Sequence, residues 1–279
     1  MALLKPILCR RLCNTYRDGK IPSERERPTV STIKTSPFSY DFIPGVSQYS
    51  AGAMASPGSE IVRVRMAETP ALPEAFKRIE TYLTERNLEP TAVCAFEMRS
   101  PGQFNEDTFR TFNEAYIGKL EAWGILVDGE NPVARANVIP ATSSLTEPGI
   151  HAFSYVRPTE ETQFGDTFVI AGSGEAPEGK GNYRDNIIAL DDTSPAGFAK
   201  KTDWVIGEMA RRLGAFGRGW GDVTNVQVYT TLPYEDAHAQ LAKQVPTYAD
   251  IAWQYCSPPV EGLVFEMDCR RVRAEEVLR

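Results

Sequence analysis

The sequence predicts an α+β protein made of two similar domains in tandem, each a mixed sheet with helices packed on one face. Three observations predict it. At 279 residues the chain is long for one small core and about right for two. From Pro37 onward, strand-like and helix-like hydrophobic patterns alternate. The order strands, helix, strand, helix, strand, strand then occurs on each side of a boundary near residues 158–163. The expected parts are an extension over residues 1–36, a first domain over 37–158 and a second over 159–279.

In the extension, Leu3, Leu4, Ile7, Leu8 and Leu12 have helical spacing among Lys5, Arg10 and Arg11, with no acid before Asp18. That is the pattern of a mitochondrial targeting segment. Arg11 inside the apolar arc, and the Pro-, Ser- and Thr-rich mixed-charge stretch from Ile21 to Ser36, read instead as a disordered tail. The first reading implies the mitochondrial matrix and the second the cytoplasm.

In the first domain a strand ends at Ser50-Ala51-Gly52-Ala53. Val62, Val64 and Met66 alternate with Arg63 and Arg65, the pattern of a half-buried strand. Leu72, Phe76, Ile79 and Leu83 make one face of a helix, and Ala92–Met98 reads as a buried strand. Asn105 is placed to cap a helix with Phe109, Phe112, Tyr116 and Leu120 inward, before strands around Ala134–Ile139 and Ile150–Val156. The second domain repeats the series. A strand at Thr167–Ala171 precedes a helix opened by Ser194-Pro195 and closed at Gly214. A strand at Val223–Thr230, a short helix over Tyr234–Gln244 and strands near Ile251–Tyr255 and Leu263–Val272 follow. Local landmarks support the repeat: Ser50–Ala53 aligns with Ile170–Ser173, Pro132–Asn137 with Thr247–Ala252, and Gly149-Ile150 with Gly262-Leu263.

Composition removes several classes of function. The net charge is −7 and no lysine or arginine block could follow a phosphate backbone, so no nucleic-acid partner is expected. No apolar run reaches the roughly 18–20 residues of a membrane span, so a soluble protein is expected. Cys9, Cys13, Cys94, Cys256 and Cys269 lack metal-site spacing, and with His151 and His238 the only histidines, no metal or cofactor is expected. Gly174 to Gly181 nearly matches a phosphate-binding loop, but Gly181 replaces the required hydroxyl and Glu175 and Glu178 would repel phosphate. A glycine-rich hairpin or a loop covering a site is the better reading. The partners expected are small molecules and copies of the chain itself.

Certain short motifs, taken in order, carry more. Phe168-Val169-Ile170-Ala171-Gly172, Asp222-Val223, Val226-Gln227-Val228-Tyr229 and Gly262-Leu263-Val264-Phe265-Glu266-Met267-Asp268 lie in the second domain. Phe112-Asn113-Glu114-Ala115-Tyr116 and Pro132-Val133-Ala134-Arg135-Ala136 lie in the first. Over about residues 40–273 the chain resembles the RidA/YjgF superfamily of reactive imine and enamine deaminases, whose domains have a chorismate-mutase-like fold. The resemblance implies sites in clefts between neighbouring domains of a ring of three, hence a trimer or a multiple of three chains. It also implies that Arg135 grips a substrate carboxylate and that Glu266 is the catalytic acid. Asn113, Tyr116, Gly172 and Ser173 fall on motif positions around them. Neither domain holds a full set: Asp250 stands where the second arginine would be, Phe153 where the first glutamate would be, and Ala51 and Ala171 replace serine. The two halves are therefore expected to complete one site between them.

This assignment suits the chemistry of the residues. An arginine fork fixes a planar carboxylate by two parallel charge-assisted bonds. A desolvated glutamate exchanges protons near neutral pH. Trp253 and Tyr255 are candidate walls for a flat conjugated substrate, aromatic core packing being the alternative. The resemblance implies hydrolytic deamination of a carboxylate-bearing enamine or imine, with 2-aminomuconate-type substrates suiting a doubled member. A chorismatase-like hydrolase and a non-catalytic ligand-binding protein are the alternatives.

Overall fold

The computed structural model describes residues 32–142, 144–161, 166–180, 182–233 and 235–279. The two readings of the N-terminal extension rest on earlier residues and lie outside the described ones. The first half runs β1 (Lys34–Thr35), β2 (Tyr40–Ile43), β3 (Gly52–Ala55), β4 (Ser59–Met66), α1 (Leu72–Thr84), β5 (Val93–Arg99), α2 (Glu106–Ala122), β6 (Ala134–Pro140) and β7 (Gly149–Pro158). The second runs β8 (Phe168–Gly174), α3 (Pro195–Ala215), β9 (Asn225–Thr230), α4 (Glu235–Leu241), β10 (Asp250–Ser257), β11 (Phe265–Arg271) and β12 (Ala274–Leu278). Asn105 and Ser194 cap α2 and α3 as expected, their side-chain oxygens accepting from the Thr108 and Gly197 amides.

The fold is α+β with the same strand order in both halves. In one, β4-β7-β5-β6 are neighbours; in the other, β8-β11-β9-β10 are. Each set has two antiparallel pairs followed by one parallel pair. The halves join where β6 and β10 run antiparallel at Pro140 with Cys256 and Ile139 with Ser257. The remaining strands cross over: β3 pairs with β8 and β12 with β4, so each half lends a strand to the other's sheet.

Three sequence expectations change. Lys34–Thr35 pairs with Asp41 and Phe42, so the predicted extension gives way to strand before residue 36. Ser50–Ala53 and Ile170–Ser173 are not counterparts: β3 lies antiparallel beside β8 with Gly52 opposite Ile170, and by connectivity the counterpart of β8 is β4. Arg63 is buried, so β4 is not half-buried against solvent. β12 escapes the pattern because it is a partly exposed edge strand carrying Glu275 and Glu276, which reads as a charged tail.

Each half has its own core on the helix side. Val62, Val64, Phe96, Met98 and Phe153 pack with Phe76, Ile79, Tyr82 and Tyr116 of α1 and α2. Phe168, Ile170, Val228, Phe265 and Met267 pack with Phe198, Val205, Met209 and Leu213 of α3. The strand residues between these apolar positions form a polar layer shared by the two halves. Glu97 accepts from Arg63 Nε at 2.6 Å and Nη2 at 2.7 Å, from Arg270 Nη1 at 2.8 Å and from Gln227 Nε2 at 3.0 Å. Arg270 also donates to Asp268, whose other oxygen accepts from Tyr229 Oη at 2.7 Å. Burial opposes the charge on Glu97, but the Arg270 and Arg63 guanidiniums outweigh it and hold the carboxyl well below its ordinary range.

Removing one member of a buried ion pair leaves the other charge uncompensated, at a cost of about 3–5 kcal/mol. Glu97→Ala is expected to lose about that much unfolding free energy at neutral pH by urea denaturation. Because the folded carboxyl titrates below the unfolded one, its contribution is complete above the unfolded value and fades as pH falls towards the folded one. The gap between wild type and variant should therefore narrow in acid, and a gap independent of pH would contradict the assignment.

Candidate active site

Arg135 leaves β6 beside Phe96 of β5. Its guanidinium carbon lies 4.9 Å from the ring centre of Tyr49, 5.0 Å from Tyr116, 5.6 Å from Phe112 and 5.8 Å from Phe109. Nη1 donates to Asn113 Oδ1 at 2.7 Å, and among the described residues Arg135 forms no salt bridge although it is only 4% exposed. Ring faces attract a cation without neutralising it. A buried cation without a counter-ion is unfavourable, so these surroundings suit an anion that binds there. Among the described residues the side-chain amide nitrogens of Asn113 and Asn137 are buried without a hydrogen-bond partner, and that of Asn137, which lines the cavity, is a donor of the sense an anion needs.

Glu266 comes from β11, opposite Tyr229 of β9 and Gly174 of β8. A Cβ on Gly172 would stand 2.3 Å from Glu266 Oε1 and 3.1 Å from Ala136, so the missing side chain of Gly172 is what admits the carboxyl. Burial is the main cause that pushes Glu266 well above the ordinary carboxyl range, and Asp268 adds to it; Arg135 and Arg99 oppose without prevailing. The protonated acid therefore persists well above the pH at which a free glutamate ionises.

Arg135 and Glu266 line one cavity of about 40 Å³ with Tyr49, Asn137, Gly172 and Glu178. That is room for water between the two groups. The walls at residues 175–180 and 259–263 lie in neither strand nor helix and are the parts able to yield to a larger guest. Glu175 anchors the first of these walls: it is fully buried, pairs with Lys201 at 3.2 Å and accepts from the Val264 and Phe265 amides. Gly174, Ala176 and Glu178 of the glycine-rich segment thus form part of the cavity wall.

Five expected site residues do not line the cavity. Tyr116 is fully buried, and its ring supports the Arg135 guanidinium from outside the cavity. Ser173 turns its hydroxyl to the Gly174 carbonyl. Trp253 packs on the second core near His238, and Tyr255 is 64% exposed; neither lines the cavity. Asn113 acts one step back, through its bond to Arg135. Asp250 opens β10 at the surface, and Phe153 packs edge-on against Tyr82 beneath α1. Burial pushes His151 down to about 4, and it lies off the cavity. The sequence reading missed Tyr49, Asn137 and Glu178 as cavity residues; only the near-match to a phosphate loop drew notice to Glu178.

Residues 32–276 match the model of a family described as 2-aminomuconate deaminase CnbZ. The chain belongs to the CnbZ family. A 2-amino-5-chloromuconate deaminase from Comamonas testosteroni is 42% identical over 244 residues, which are 87% of this chain and 97% of that protein. A crystal structure of a chorismatase superposes with a TM-score of 0.50 at 16% identity, covering 84% of this chain and 81% of the other, and shows the shared fold. RidA from Psychrobacter sp. PAMC 21119 aligns with 48% of this chain and 93% of its own at 17% identity, with a TM-score of 0.30. In this CnbZ-family chain the guanidinium comes from the first half and the raised carboxyl from the second.

The position of Glu266 has a consequence for stability. Its folded value is raised, so its share of stability is complete below the unfolded value, about 4.3, and is lost as pH rises through the folded one. Glu266→Gln needs no proton on folding. The variant should gain thermal stability over wild type progressively as pH rises above about 4.3, and a stability difference flat with pH would contradict the buried, protonated acid. Gly172→Ala should push the Glu266 carboxyl aside and lower activity with little change in melting temperature; full activity would contradict the close approach.

Proposed function

We propose that this chain is a hydrolytic, cofactor-independent deaminase of 2-aminomuconate-type enamine carboxylates that releases ammonia. The observation that carries the reading is a buried guanidinium, without a counter-ion among the described residues, facing a proton-holding carboxyl across one cavity in a member of this family. Arg135 grips a substrate carboxylate, aided by the unpaired amide nitrogen of Asn137. Glu266 gives its proton to an enamine carbon, and the electron pair of the C=C bond becomes the new C–H bond while nitrogen forms an iminium. Water then adds to the C=N carbon, giving its proton to the Glu266 carboxylate. Collapse of the carbinolamine expels ammonia and leaves a carbonyl. A protonated Glu266 also spares an incoming carboxylate the repulsion of a like charge.

The same reading divides the chain between residues 158 and 159 into two modules of common descent. It also implies self-association as a trimer or a multiple of three, which mass measurement in solution tests. Tyr248 and Tyr255, 65% and 64% exposed on or beside β10, are surfaces such contacts would cover.

Ammonia release from 2-aminomuconate, followed as substrate absorbance disappears, is the primary test. Arg135→Ala is expected to lower kcat/KM at least about 30-fold, chiefly through KM, with Lys restoring part. Glu266→Gln should lower kcat by about 10²–10⁴. Full turnover by both variants would refute the assignment. Pyruvate formed from chorismate, or ligand-induced stabilisation without turnover, would replace it.

A further inference from the structure

The cavity holds a second carboxyl group that the reaction steps above leave unused. Glu178 lines it with Arg135 and Glu266. Its Oε1 accepts from Tyr49 Oη at 2.8 Å and from Arg212 Nη2 at 2.9 Å, while among the described residues Oε2 accepts from no donor. Arg212 is itself immovable. It is fully buried, and it also donates to Glu208 Oε1 at 2.7 Å and to the Ala171 and Gly172 carbonyls at 3.1 and 3.4 Å. Glu208 is shared between Arg211 and Arg212, so Glu178 balances the second guanidinium; it does so through Oε1 alone, and its other oxygen is left open.

Tyr49 fixes where that oxygen stands relative to the anion seat. Its ring face is 4.9 Å from the Arg135 guanidinium carbon and its hydroxyl is on Glu178. A cation seeking an anion and an acceptor seeking a donor thus sit across a single ring. An α-amino carboxylate offers that pair of groups on adjacent carbons.

We propose that Glu178 reads the substrate's amino group: Oε2 accepts an N–H from the nitrogen on the carbon next to the carboxylate that Arg135 holds. This rests on the deaminase reading above and deepens it. A site built to bond an N–H rejects an analogue that lacks it, because an acceptor that the bound molecule shields from water is left unpaired. The 2-oxo product presents a carbonyl oxygen to Oε2, lone pair against lone pair. Exchange of nitrogen for oxygen therefore loosens the product in the seat that held the substrate.

Calorimetric titration with 2-aminoadipate and 2-oxoadipate, saturated six-carbon dicarboxylates that differ only at C2, tests this without turnover. Wild type is expected to bind the amino compound at least tenfold more tightly. Glu178→Gln, which keeps the shape but can donate to a carbonyl, should reduce that preference at least tenfold, and Glu178→Asp should restore part of it. Tyr49→Phe, which keeps the carboxylate but removes one of its two anchors, should move the preference the same way by threefold or more, so the test survives if the glutamine variant fails to fold. Both constants changing by one common factor, an unchanged preference, or no binding of either compound to wild type would overturn the role. Absence of ammonia release by wild type would instead overturn the deaminase reading, whatever the two affinities show.

Discussion

Glu97 is the point at which the two sheets are held face to face. Its carboxylate takes a bidentate guanidinium from its own half and an arginine and a glutamine from the other. Such a layer adds less net stability than its contact distances suggest, since desolvation of each ion offsets much of the attraction. Its value is register. A carboxylate that needs Arg63 and Arg270 together is satisfied in one alignment of the two sheets, whereas an apolar interface would tolerate a slide. Arg135 lies on the strand beside Glu97, and Glu266 lies two residues from Asp268, which shares Arg270 with Glu97. The cavity geometry follows from that alignment.

Carboxyl groups within one buried region are thereby driven in opposite directions. Glu97 meets two guanidiniums and is held as an anion. Glu266 meets burial and a neighbouring acid, and its proton is retained. Glu178 meets a guanidinium that it shares with Glu208, binds it through one oxygen and keeps the other open. Three copies of one functional group thus become a bound anion, a carboxyl that keeps its proton and a carboxylate with one oxygen open through their surroundings alone. The price is stability held back at Glu266, where the chain folds around a group that must take up a proton to be comfortable.

The fold was legible where hydrophobic period and caps agreed. Asn105 and Ser194 marked two helix starts, and the apolar residues of α1, β5 and α3 named their buried faces. What stayed hidden was the crossing of strands between halves. β3 and β12 are short and pair with strands of the other half, and pairing with a distant strand leaves no local pattern. Arg63 looked like a solvent-facing strand residue because alternation reports two faces without saying what covers the second. At the site, Arg135, Glu266 and Gly172 were legible through the order of family motifs. Tyr49 and Glu178 were not: one precedes β3 and the other sits in a loop 129 positions away, and only the packing of unlike halves makes them partners. Trp253 and Tyr255 misled because aromatic character signals burial or contact without direction.

The central claim is that Arg135 and a protonated Glu266 converge on one bound anion. The most direct measurement is the pH dependence of the affinity for cis,cis-muconate, a dicarboxylate with no amino group to deprotonate or hydrolyse. The account predicts affinity that weakens as pH rises through the titration of Glu266, by up to about tenfold per pH unit, and a flat profile in Glu266→Gln. A wild-type profile as flat as that of the variant would mean that the carboxyl does not adjoin the anion, and the account would be wrong.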